Sequence, residues 1–144
     1  MAANSRLTVA VHILARMALA HGSGREVVTS EQIAESVNTN PVVIRRSLGV
    51  LRRAGLVAVR HGSGAGWWLA RAADEISLLD VYRALEDEPL FGLHRSEPSR
   101  ECPVGAGIRP ALRLAYGEAE EAARSALART SVGDVLRESL ARPA

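Results

Sequence analysis

The stretch Asn40-Pro41-Val42-Val43-Ile44-Arg45-Arg46-Ser47-Leu48-Gly49-Val50-Leu51-Arg52-Arg53-Ala54-Gly55 decides the fold. Pro41 suits the first position of a helix, where its missing N–H is not needed, and Gly55 suits the position just past the end. With Ile44 set at zero and about 100° per residue, Leu48 falls near 40° and Leu51 near 340°, an inward stripe. Arg45, Arg46, Arg52 and Arg53 fall near 100°, 200°, 80° and 180°, on the other side, with Val42 and Gly49 between them. The segment reads as a helical rod with an aliphatic back and a guanidinium face.

Upstream, Leu7, Ala10, Val11, Leu14, Met17 and Ala18 recur at helical spacing, so residues 5–21 read as a helix capped by Asn4 or Ser5 and stopped by Gly22. After the apolar pair Val27-Val28, Ser30 is expected to cap a second helix through Val37, and Asn38-Thr39-Asn40 turns into the rod. Downstream, Leu56–Val59 and Trp67–Leu69 flank the glycine-rich tip Gly62–Gly66, the pattern of a β-hairpin. One of Trp67 and Trp68 is expected in the core and the other beside the hairpin. Ser77 caps a fourth helix through about Asp87, and residues 89–102 form a loop. A helix from Pro103 to about Arg129 follows, with Pro110 inside it, and a last short helix follows Ser131. The reading is mainly α: a winged helix-turn-helix over residues 1–75, then a linker helix, a cysteine-containing loop and dimerisation helices over 76–144.

Composition supports a globular chain. It has 144 residues, 47% apolar and 24% charged, which excludes collagen, disordered tails and disulfide scaffolds. The single cysteine, Cys102, forms no internal disulfide and suits a reducing compartment. Leu7–Ala20 is apolar, but His12 and Arg16 interrupt it, so it reads as an amphipathic helix in place of a secretion signal, and a cytoplasmic location is expected. Charge is uneven: residues 1–70 carry net +5 and residues 71–144 net −3, with every basic residue an arginine. A basic half joined to an acidic half fits a polyanion-binding module carrying a second function.

A guanidinium face on the third helix matches phosphate oxygens and the O6/N7 edge of guanine. Arg45 and Arg46, in the early turns, are expected at base edges, and Arg52 and Arg53 at phosphates. Ser30 and Val42 belong to the same surface, and Arg6 is a further phosphate candidate. Gly49 fits close backbone approach to a duplex or mere drift. The glycine tip joins two strands, with no following Lys-Ser/Thr, so it is a wing and not a nucleotide loop. Arg60 and His61 at its base are placed to enter a minor groove. The alternative for the whole surface is a winged helix repurposed for protein interaction without specific DNA readout. No nucleophile, metal or acid–base constellation points to an enzyme.

Along the fifth helix Ile108, Leu112, Ala115, Ala119, Ala122, Ala123 and Ala126 form a stripe rich in small residues, suited either to pairing two copies or to packing within one. Cys102, before Pro103, sits where a helix dipole lowers a thiol pKa; Arg95, Arg100 and His94 would add to this while Glu97 and Glu101 oppose it. It is expected to be either a redox or electrophile switch or an inert cap.

Several segments together resemble the Rrf-two family of winged-helix regulators, that of IscR, NsrR and CymR. They are Thr29–Ser36, Leu51–Val57, the wing Gly62–Trp67, Ile76–Val81, Cys102–Gly105 and Ser131–Leu136, and Asn38–Arg46 looks most like the YwnA-like branch. The resemblance implies a homodimeric, sequence-specific transcriptional regulator, usually a repressor, pairing through residues 103–129 and reading double-stranded DNA with the third helix and wing. This chain departs from the family at His61, where arginine is common. It also has one cysteine where cluster-binding members have three, so no iron–sulfur cluster or other cofactor is expected. The effector is not legible.

Overall fold

A computed structural model describes residues 5–85 and 88–142. Its elements in order are α1 (Ser5–Gly22), α2 (Ser30–Val37), α3 (Pro41–Arg53), β1 (Val57–Arg60), β2 (Gly66–Leu69), a 3-10 turn (Ala73–Glu75), α4 (Leu78–Ala84), α5 (Pro103–Ala128) and α6 (Val132–Ala141). The architecture is the mainly helical winged helix-turn-helix with a two-stranded wing and a long C-terminal helix. The alternative cap Asn4 and the expected end of the fourth helix at Asp87 lie outside the described residues.

Local chemistry sets the boundaries. Thr29, not Ser30, caps α2: its hydroxyl accepts from the Gln32 N–H at 3.1 Å, and the Gln32 side chain accepts from the Thr29 N–H at 3.0 Å. Thr29 takes the position because a glutamine stands three residues on and closes the reciprocal pair, whereas a cap at Ser30 would face Ile33, which has no acceptor. Asn38 turns the chain in the left-handed conformation, φ 61°. Asn40 then caps α3 by accepting from the Val42 N–H at 2.9 Å, with Pro41 in the first turn.

The end of α3 is a Schellman motif: Gly55, at φ +76°, donates to the Arg52 carbonyl at 2.9 Å and Leu56 donates to the Leu51 carbonyl at 3.0 Å. Leu51 and Leu56 are both buried there. Chain direction into the wing is therefore fixed at the glycine. The wing strands pair antiparallel, from Val57 opposite Leu69 to Arg60 opposite Gly66. Val28 exchanges both backbone hydrogen bonds with Trp67, at 2.9 and 2.8 Å, which ties the wing to the segment after α1. At Gly66 a Cβ would lie 2.7 Å from that of Val27, so only glycine lets the two segments close.

Ile13 and Leu14 of α1, Ile33 of α2, and Ile44, Leu48 and Leu51 of α3 have no exposed surface, and Ile76, Val81 and Val132 from beyond the wing share their core. Ser77 and Ser131 cap α4 and α6 as expected, each in a capping box with an aspartate, Asp80 and Asp134. Leu78 donates to the Thr130 carbonyl and Val132 to the Ile76 carbonyl, both at 2.8 Å, so α6 starts beside α4 and returns to α1.

Helix α5 runs without interruption through Pro110. The face bearing Ile108, Arg109, Leu112, Tyr116, Glu120 and Ala123 is half-buried, covered by α4 and the 88–102 segment. Arg109 anchors that segment, donating to Glu97 Oε2 at 2.8 Å and to the His94 and Ser96 carbonyls at 2.6 and 2.9 Å. Glu120 accepts from the Leu90 N–H at 2.8 Å, and Phe91 stacks on Tyr116 with ring centroids 5.0 Å apart.

Candidate nucleic-acid interface

The cap of Asn40 and the Schellman turn at Gly55 hold α3 between two fixed corners, and burial of Ile44, Leu48 and Leu51 sets its rotation. Arg45, Arg46, Arg52 and Arg53 are consequently all exposed. Among the described residues Arg46, Arg52 and Arg53 make no ion pair. Arg45 Nη2 lies 3.2 Å from Glu31 Oε1, with both side chains more than half exposed. A backbone N–H at the start of α2 holds the Glu31 carboxyl below its ordinary range, and Arg45 and Ser30 lower it further. Such a solvent-exposed pair contributes little and is screened by salt, so a phosphate or base edge can displace Glu31 from Arg45.

The other sequence-predicted residues are placed less uniformly. Ser30 is buried and its hydroxyl donates to Glu31 Oε2 at 3.2 Å, so it supports Glu31 from behind. Val42 is 52% exposed; its neighbour Val43, at 41%, had not been singled out. The signal was its angle, since Val43 lies about 100° behind Ile44 on the open edge of the rod. Both valines are available to thymine methyl groups. Gly49 is half-buried and a Cβ there would lie 3.7 Å from Arg53 Nη1, so the arginine folds back across the glycine. Arg6 is exposed in the first turn of α1.

The wing base completes the surface. Thr29, Ser30, Arg45, Arg60, His61 and Gly66 line one groove of about 290 Å³ between the helix pair and the wing, and Arg6 lies outside it. His61 is exposed. Arg60 is turned partly away: its guanidinium lies 3.5 Å from Glu26 and 5.9 Å from the centre of the Trp68 ring. Trp67 is half-buried against the core and Trp68 lies outside it, as the strand alternation predicts.

The sequence pattern of the Rrf2 family, described as an iron-dependent transcriptional regulator, matches residues 3–138. The chain belongs to the Rrf2 family. It is 42% identical over 134 residues to YwnA of Bacillus subtilis, whose name assigns it provisionally to the HTH-type transcriptional regulators, covering 92% of this chain and 96% of that one. A crystal structure described provisionally as a DNA-binding protein superposes with a TM-score of 0.72 at 38% identity, over 92% of this chain and 99% of the other. The IscR of T. potens shares the fold, with a TM-score of 0.74 at 21% identity over 100% of this chain and 93% of its own. As an Rrf2 protein the chain is a DNA-binding transcriptional regulator. Among the described residues no helix is long and apolar enough to cross a membrane.

The iron in the family's description is a test for the donor set. Cys102 is the single cysteine of the sequence, and among the described residues no three His, Cys, Asp or Glu side chains converge as metal ligands. The 88–102 segment instead wraps the cationic Arg109. A single thiolate does not fit an iron–sulfur cluster, which needs several.

Cys102 is exposed at the N-cap of α5, ahead of Pro103. Its thiol accepts no hydrogen bond of ordinary geometry, yet the Gly105 and Val104 amides hold its pKa below the usual thiol value. The lowering comes from the helix backbone and not from His94, Arg95 or Arg100, the last of which is turned to Glu97 at 3.6 Å.

The expected pairing stripe divides. Ile108, Leu112 and Ala123 are half-buried within the chain, while Ala115, Ala119, Ala122 and Ala126 stay exposed. Val104 and Leu114, at 67% and 73%, are exposed on the same helix, and none of its residues is buried. Arg109 and Glu120 were missed as the clamps of the loop; the signal is a spacing of four (108, 112, 116, 120) that puts Glu120 on the half-buried face, with Arg109 falling between Tyr116 and Glu120 at about 100° per residue.

Proposed function

We propose that this chain is a homodimeric, sequence-specific DNA-binding regulator that represses transcription by occupying promoter DNA, in the cytoplasm, without a cofactor. The observation that carries the reading is the exposed face of α3, where Arg46, Arg52 and Arg53 have no ion-pair partner among the described residues while the back of the same helix is fully buried. Three unpaired guanidinium groups on a groove-sized rod, with Arg45 held by an exposed pair alone, can meet a polyanion, and the wing base would extend the contact. Sequencing the genomic fragments retained by the purified protein tests it: a shared near-palindromic site is expected, and retention without any common sequence would leave only the interaction-module alternative. On a promoter carrying that site, added protein lowers transcript yield in a purified transcription reaction; increased yield would contradict repression.

Pairing through α5 is supported by its exposed alanines and by Val104 and Leu114, which one chain leaves in water. Two copies related by a two-fold axis would present their α3 helices to successive major grooves, about 34 Å apart or a multiple of it. Light scattering at micromolar concentration is expected to give twice the chain mass. Ala119→Arg, which places a charge in the small-residue stripe, is expected to give monomers that still melt cooperatively and that bind the operator far more weakly. A monomeric wild-type protein would refute the pairing.

Cys102 supports a redox or electrophile response. A thiolate attacks a peroxide oxygen, breaking the O–O bond to give a sulfenic acid and hydroxide. Because the amides of Val104 and Gly105 favour the thiolate, the rate of alkylation by iodoacetamide should rise with pH through a midpoint below that of a cysteine in an unstructured peptide. A midpoint at or above the peptide value removes the thiolate argument. Operator binding that is equal in wild type and Cys102→Ser, with and without peroxide, removes the switch.

A further inference from the structure

Between the end of α1, the wing and the connection that follows it lies a cleft of about 720 Å³, within the size range of small-molecule sites. Met17, Ala18 and Leu69 supply apolar wall, and Trp68 an aromatic ring outside the core. His21, Arg25 and Arg60 supply the polar rim.

The charges around this cleft are not balanced. Asp74 is engaged by Arg137 at 2.8 Å. Arg71 is turned to the Glu75 carbonyl at 2.6 Å and to Asp80 at 3.6 Å. Glu26 faces Arg60. Arg25 is exposed and, among the described residues, has no ion-pair partner. One guanidinium is therefore left over at the edge of an aromatic and aliphatic wall. We propose that this cleft binds a small aromatic carboxylate, its ring against Trp68 and Met17 and its carboxylate on Arg25, with Arg60 drawn from Glu26 as a second donor.

The site adjoins the reading surface. Arg60 ends β1 at the wing base, and the opposite strand carries Trp67 and Trp68. A ligand that takes Arg60 from Glu26 changes what the wing presents to DNA, and by linkage DNA changes the ligand's affinity by the same factor. This coupling rests on the DNA-reading role proposed above; occupancy of the cleft does not, and the two are measured separately.

Trp67 and Trp68 are the two tryptophans of the chain, and both line the cleft, so intrinsic fluorescence reports occupancy without DNA. Titration with benzoate and phenylacetate is expected to give a saturable change, with benzamide about tenfold weaker because it lacks the charge. Acetate at equal ionic strength should give none. Arg25→Ala, a surface change that leaves the melting temperature in place, should weaken benzoate about tenfold, and Trp68→Phe should remove most of the signal. A linear or absent response to both aromatic acids, an equal response to acetate, or an unaltered benzoate titration in Arg25→Ala would overturn the site. An Arg25→Ala protein that loses affinity for all DNA sequences while no acid binds would assign the cleft edge to phosphate. If benzoate binds but leaves operator affinity unchanged, the coupling is wrong and the site stands.

Discussion

Arg46→Ala is expected to lower affinity for the preferred operator by about 1–3 kcal/mol and to flatten the preference at one base pair in each half-site. The side chain projects from the second turn of α3, whose early turns are proposed to lead into the groove, and no ion pair among the described residues competes for it. Arg45→Ala should cost less net affinity, since Arg45 gives up its contact with Glu31 on meeting DNA, while its base preference should relax in the same way. Arg52→Ala and Arg53→Ala should weaken all sequences alike, as expected of residues near the end of α3 that hold phosphate. The check is a competition assay against the operator and single-base variants. Equal loss on every variant for Arg46→Ala, with discrimination intact, would exchange the roles of the two arginine pairs.

Ile44→Ala is the second large effect, about 2–5 kcal/mol of lost stability by thermal or denaturant unfolding. Ile44 has no exposed surface and packs among the buried residues of α1, α2 and α3, so truncation removes apolar burial and leaves a cavity that neighbours held by the α2 capping box, the Asn40 cap and the Schellman turn cannot easily fill. Val42, two residues earlier, gives the contrast: Val42→Ala, at a half-exposed position, should change stability by less than about 0.5 kcal/mol while altering operator preference. A loss at Val42 as large as that at Ile44 would mean that the rotation of α3 has been assigned to the wrong face.

The features readable from sequence were those fixed within a few residues. Pro41 and Gly55 bracketed α3, and Ser77 and Ser131 marked two caps, because each acts through its own turn. The period of Ile44, Leu48 and Leu51 gave the buried side of α3 and therefore the arginine side. Thr29 was missed because capping depends on the partner three residues later, and Gln32 closes the pair for Thr29 while Ile33 cannot do so for Ser30. The Arg45–Glu31 and Arg60–Glu26 pairs join residues from different elements, so no local pattern announces them. They redirect two of the residues assigned to DNA. The α5 stripe stays open between its two readings for the same reason: spacing shows that Ile108 and Leu112 share a face, but only the fold shows that the 88–102 segment lies along it through Arg109, Tyr116 and Glu120.

The central claim is that exposed guanidinium groups on α3 meet DNA phosphates, and the salt dependence of operator binding tests it most directly. If Arg52 and Arg53 of both copies displace counterions, the logarithm of the binding constant should fall linearly with that of salt concentration, with a slope of about −4. In Arg52→Ala the slope should become shallower by about 2, one contact per copy. A slope near zero, or the same slope in wild type and Arg52→Ala, would contradict the account.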